Sequence, residues 1–211
     1  AIETTDIQVL TTGQLAGLAT STVAALTTDQ VVALTTYQIG NLSTATLKAL
    51  SSDQLVAIET TDIQALKTSQ LATLATSTVA ALSTDQIQAL LTSQLGALGT
   101  NSVRALTTDQ VVALTTDQVT GVNTRTAQAL STEAITALTT GQIEVINTAG
   151  LAALTTSQVK ALSTDAVIAL STYQVANLTT GTMAALSTAQ VAAIETTDIQ
   201  ALSTKQLAGL A

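Results

Sequence analysis

The sequence predicts an all-α solenoid, a superhelix of very short capped helices with one helix per eight-residue repeat. Three observations predict it. From Ile2 to Gly209 the chain divides into 26 consecutive octads without one insertion or deletion, as in Leu26-Thr27-Thr28-Asp29-Gln30-Val31-Val32-Ala33. Aliphatic residues stand at positions one and six of the octad and small ones at position eight, a spacing that suits a helical turn rather than an alternating strand. Charge is polarised within the unit. All nine Asp residues fall at positions four or five, whereas Lys48, Arg104 and Lys160 sit at position seven. That order matches the dipole of a helix running from the first group to the second.

Each position then has an expected part. Position one is Leu in 21 octads, with Ile2, Ile58, Val122, Ile146 and Ile194 as the exceptions. Position three is Thr in every octad but one, where it is Ser52. Placed just before the acidic sites, this Thr is expected to be the N-cap, its hydroxyl accepting from a free backbone N–H, and Thr108 is an example. Asp at positions four and five would then occupy the first two helical positions. Position five is Gln in 14 octads, and an inter-octad hydrogen-bond ladder is expected of it, since a buried amide must find partners. Position six is always aliphatic, from Ile7 to Leu207, shrinking only at Ala127. Together with position one of the next octad it forms the core face. A helix of five or six residues is unstable alone, so the core must be shared with neighbouring octads. Departures from Gln at position five, at Asp6, Thr22, Thr46, Asp62, Thr78 and Ser102, suggest about two and a third octads per superhelical turn. The alternative fold is a β-solenoid, with Thr, Val and Ile in strands and stacked Thr and Gln ladders. Against it stand the absence of a period of two and the abundance of Ala, Leu and Gln.

The composition excludes most chemistry. Among 211 residues there is no Cys, His, Trp, Phe or Pro, and Tyr37 and Tyr173 are the only aromatic residues. No thiol nucleophile, imidazole base or thiolate metal site can be assembled. Ser and Thr hydroxyls have no His beside them, and no Lys is paired with a Ser in a recognisable motif. No catalytic, cofactor-binding or metal-ligating residue is nominated, and the chain is not expected to be an enzyme. The Asp residues form no calcium-loop pattern, and helix-start polarity accounts for them. Six bases against 14 acids argue against nucleic acid as a partner. Mean hydropathy is positive at +0.46. Polar residues nevertheless interrupt every few positions, so no apolar run reaches the ~20 residues that span a bilayer. Neither membrane insertion nor a small-molecule substrate is expected.

A longer repetition overlies the octads. Ile-Glu-Thr-Thr-Asp-Ile-Gln begins at residues 2, 58 and 194, and the segment from Ile194 restates the segment from Ile2. Residues 1–211 read as a single tandem-repeat array without a polar capping repeat at either end, the 26 octads spanning residues 2–209. Ala1 reads as the last residue of a preceding octad and Leu210-Ala211 as the opening of another. The array is therefore expected to be a window on a longer one or a unit that stacks end to end. It resembles the Thr/Gln/Ala/Leu-rich tandem arrays of very large bacterial surface or secreted proteins. That resemblance implies export, an extracellular or cell-surface location, and service as stalk, fibre or matrix. The expected function is a non-enzymatic structural protein forming an elongated rod or extracellular filament. The alternatives are a stalk segment or binding surface of a large bacterial adhesin, including an ice-binding face or a glycosylated spacer. Ice binding would need an exposed Thr array, and the most regular Thr is the one assigned here to capping.

Overall fold

The computed structural model describes residues 3–210. The expectations attached to Ala1, Ile2 and Ala211 lie outside those residues. Between them run 26 α-helices of four to six residues, α1 (Thr4–Val9) to α26 (Thr204–Leu207), one per octad, and no strand occurs among the described residues. The chain is an all-α repeat solenoid, and the β-solenoid alternative is set aside. Two compact units divide it, Ala1–Ala105 and Leu106–Ala211, each holding 13 of the octads.

Every helix opens at position three of its octad, so Thr at that position is the first helical residue and the N-cap is position two. This corrects the expectation for Thr108: in α14 (Thr108–Ala113) the cap is Thr107, whose hydroxyl accepts the Gln110 N–H at 3.2 Å. The physical reason lies in the return half of the cap. Gln at position five is the third helical residue, and its side-chain carbonyl accepts the N–H of position two. The pair closes a capping box that Thr at position three is too late to join. Asp residues accordingly occupy the second and third helical positions, still within the reach of the dipole.

Positions one and two are extended, as at Thr27 (φ −74°, ψ 160°) and Leu10 (φ −63°, ψ 134°). The chain turns from one helix to the next through them with no positive φ among the described residues. That is why the array needs neither Pro nor a left-handed Gly at a fixed position.

Within the first unit, α1 packs on α4 (Thr28–Val32) and α4 on α7 (Ser52–Val56). Likewise α5 (Thr36–Gly40) packs on α8 (Thr60–Ala65), and α8 on α11 (Thr84–Ala89). In the second unit α14 packs on α17 (Thr132–Ala137), α17 on α20 (Thr156–Ala161), and α20 on α23 (Thr180–Ala185). Helices three octads apart are therefore neighbours. Side-chain bonds from position five reach back four octads, so each turn of the coil takes between three and four octads. The expected two and a third is thus corrected. Departures from Gln mark places where the side chain changed, not the pitch. Within each unit the core is aliphatic. Side chains at position six, from Ile7 through Met183, are 0–2% exposed, and position one lines it less deeply. Each fully buried Leu or Ile contributes about 1.5–3 kcal/mol, which no isolated octad can collect.

Candidate functional site: the glutamine staple between coils

The commonest buried polar side chain among the described residues is Gln at position five. In α5, Gln38 Oε1 accepts the N–H of its own cap residue Thr35 at 2.8 Å, while Thr35 Oγ1 accepts the Gln38 N–H at 3.2 Å. Its Nε2 then crosses to the preceding coil and donates to the carbonyls of Ile7 and Leu10, both at 2.8 Å. One side chain thus caps the start of its own helix and the end of a helix four octads earlier. Gln54, Gln86 and Gln94 repeat the bond in the first unit, to the pairs Val23 and Leu26, Leu55 and Ile58, and Ile63 and Leu66. Gln142, Gln158, Gln174, Gln190 and Gln206 do so in the second. The donor always lies 31 and 28 residues after its two acceptors. These amides are buried, and both of their functional ends are satisfied. The expected ladder is present, and it proves to be a staple with two capping ends. Where the cap residue offers no acceptor, at Lys67 and Leu91, the Gln70 and Gln94 carbonyls still hold the cap N–H.

The role can move to another position. In the octad of Ile146, position five is Gly150 and cannot staple. There Asn147 at position two accepts the Gly150 N–H at 2.7 Å and donates to the Val122 carbonyl at 2.7 Å. That carbonyl is the one a Gln at position 150 would have reached. Asn at position two with Gly at position five is a swap that composition alone does not reveal, though the two changes occur together in one octad.

Other octads without Gln at position five lie beside open space or hold an unpaired hydroxyl. A recess of ≈260 Å³ is lined by Leu154, Val159, Thr179 and Thr182, with Thr182 at the staple position. A shallower one of ≈590 Å³ is lined by Ile168, Ala192, Ile194 and Glu195, beside the octad whose position five is Asp198. Thr126 Oγ1, buried in an octad whose position six is only Ala127, has no hydrogen-bond partner.

The remaining polar chemistry is dispersed. Glu133 is exposed, and its own backbone N–H, with the hydroxyls of Ser131 and Thr132, holds its carboxyl below the usual carboxylate range. Among the described residues no three carboxylates converge on a metal-sized space. Nor is any helix long and apolar enough to cross a membrane. Tyr37 and Tyr173 are 73% and 72% exposed, and each has its backbone carbonyl held by an Asn side chain four residues on, Asn41 and Asn177 respectively. The Ser and Thr side chains at position two are engaged as caps, and those at position three lie on the outside of each helix start.

Curated proteins give no match to this sequence. Residues 1–36, 55–92, 91–124, 143–180 and 175–211 match the profile of the ALTTAQ repeat. Those six letters follow the octad from position eight through position five, as in Ala33-Leu34-Thr35-Thr36-Tyr37-Gln38, and so include both the cap and the staple. The chain is a tandem-repeat protein and belongs to the ALTTAQ repeat family.

Proposed function

We propose that this protein is a non-enzymatic structural element, an elongated rod or extracellular filament built by stacking octapeptide coils and extended end to end. One observation carries the reading: within each unit helices pack on helices three octads away, and the buried glutamines bond carbonyls at the end of a helix four octads back. Such a chain is built to propagate, and its useful properties are length and stiffness rather than a site. The inventory of side chains supports an absence of catalysis. The acidic balance supports an absence of nucleic-acid partners. A cysteine-free chain with a hydroxyl-rich surface fits an extracellular or bacterial cell-surface place. Electron microscopy of the purified chain, with sizing over a range of concentrations, tests the reading. Elongated particles or fibres of uniform width support it, and compact round particles at every concentration overturn it.

A second reading, a binding surface on a large adhesin, draws on the correction made above. Position-three hydroxyls are not consumed as caps, so the outer face carries one Thr per octad, or Ser at Ser52. A thermal hysteresis assay addresses the ice-binding form of that reading, and the absence of hysteresis removes it.

A further inference from the structure

We infer that the octads of Asp62 and Asp198 each hold a calcium ion between coils, at the place where other octads put a glutamine staple. The inference does not depend on the rod reading and adds a site to the chain.

The Asp residues of the helix starts fall into two sets. Asp29, Asp53, Asp85, Asp109, Asp117 and Asp165, at position four, are all exposed. Asp62 and Asp198, at position five, are 6% and 3% exposed. The helix dipole favours an acid at a helix start, but an exposed acid serves it equally, so the dipole leaves the burial unexplained. Neither buried carboxylate has a hydrogen bond or an ion pair among the described residues. Nor is either folded back onto its own cap residue, since the helices capped by Glu59 and Glu195 have no capping box.

The repeat count gives what lies opposite. Gln54 and Gln70, one octad to either side of Asp62, donate to carbonyls 31 and 28 residues earlier. The same count from Asp62 gives the carbonyls of Val31 and Leu34. Gln190 and Gln206 flank Asp198 in the same way, and there the count gives Val167 and Leu170. All four of these residues are buried, and among the described residues no side chain donates to their carbonyls. A short side chain at position five still approaches such a carbonyl: Ser102 Oγ donates to the Leu74 carbonyl, 28 residues earlier, at 3.4 Å.

At Asp62 and Asp198 the staple's amide is thus exchanged for a carboxylate, a donor for an acceptor. Each place gathers one buried negative charge and two carbonyl oxygens, with no donor between them. A carboxylate so placed loses its hydration and gains nothing in return. A hard cation reverses that balance. Carboxylate and backbone carbonyl oxygens are the ligands calcium takes, and its flexible geometry admits water for the remainder, whereas magnesium holds its own waters in a strict octahedron. The same octads carry a second mark. Glu stands at position two only where Asp stands at position five, at Glu3, Glu59 and Glu195. A hydroxyl cap is given up there for a second negative charge at the same helix start, which strengthens the attraction for a divalent ion.

Thermal melts and equilibrium dialysis with radioactive calcium, on the full chain with Asp62→Gln, Asp198→Gln and the double variant, test the inference. The melting temperature of the wild type should rise with CaCl2, with a midpoint of about 10⁻⁴–10⁻³ M, and not with NaCl of equal ionic strength. Each substitution should remove one bound ion, and the double variant should lose the calcium-dependent rise. Without calcium the variants should melt at or above the wild type, because the new amide meets the same carbonyls and keeps the fold intact. A wild type indifferent to calcium would overturn the site, as would a rise that survives in the double variant. Stabilisation by acid with no response to calcium would overturn it too, by putting a proton where the ion is placed. Each of these results leaves the structural reading as it stands, since particle shape is measured separately.

Discussion

At the scale of single residues, the stapling glutamines each finish two helices at once. Thr107→Val removes a cap and should cost ~0.5–2 kcal/mol in a denaturation experiment, whereas Thr108→Val, one residue later, should be close to neutral. Equal losses at both positions would contradict the cap assignment. Gln174→Ala strips the Ser171 N–H of its acceptor at 2.7 Å and strands the Ile143 and Ile146 carbonyls, each now bonded at 2.8 Å. Buried groups left unpaired cost about 1–3 kcal/mol each, so a loss on the order of 2–5 kcal/mol is expected in chemical denaturation. Thr126→Val is expected to run the other way. Its hydroxyl is buried and unbonded, and a methyl of the same shape should leave stability unchanged or raise it by up to about 1 kcal/mol, seen as an unchanged or higher melting temperature.

At the scale of the element, a four- to six-residue helix is half-built by its own sequence and completed by its neighbours. The capping box, the acids in the first turn and the aliphatic residue at position six are all legible in eight letters. Which residue is the cap was less legible, because Thr at positions two and three offer the same hydroxyl. Only the reach of the position-five Gln back to position two separates them. Close approach between elements is equally hidden. At Gly40 in α5 an added Cβ would stand 2.8 Å from the Ala65 carbonyl oxygen at the end of α8, while at Gly141 it would meet nothing within 4 Å. Gly40→Ala should therefore lower the melting temperature unless α5 and α8 part. Gly141→Ala should raise stability by up to ~1 kcal/mol through helix propensity. Thermal melts of the two variants side by side check the contrast.

At the scale of the whole molecule, the constraint is the fixed count between a staple and its carbonyls. Deleting one residue, for example Ala149, breaks the 31- and 28-residue separations of every staple that crosses the cut, such as Gln158 to Ala127 and Leu130. Deleting all eight residues of an octad shifts those staples onto equivalent carbonyls one octad earlier, Gln158 for example onto Val119 and Val122. The single deletion should lower the melting temperature far more than the eight-residue one, by calorimetry or circular dichroism. A comparable loss in both would mean that individual side chains, rather than the register, hold the coils. Where Gln is replaced by Gly150, the Asn147 substitute shows that the acceptor carbonyls matter more than the donor's identity.

The sequence by itself determined the octad, the helical class, the buried set at positions one and six, and the poverty of catalytic side chains. Each of these follows from residue type and spacing along the chain. Only the tertiary structure decided the winding, the cap position and the partners of Gln. The reason is physical: the pitch is set by how aliphatic side chains of octads three apart fit together. The carbonyls that a glutamine amide meets lie about thirty residues away, and no local propensity speaks across that distance.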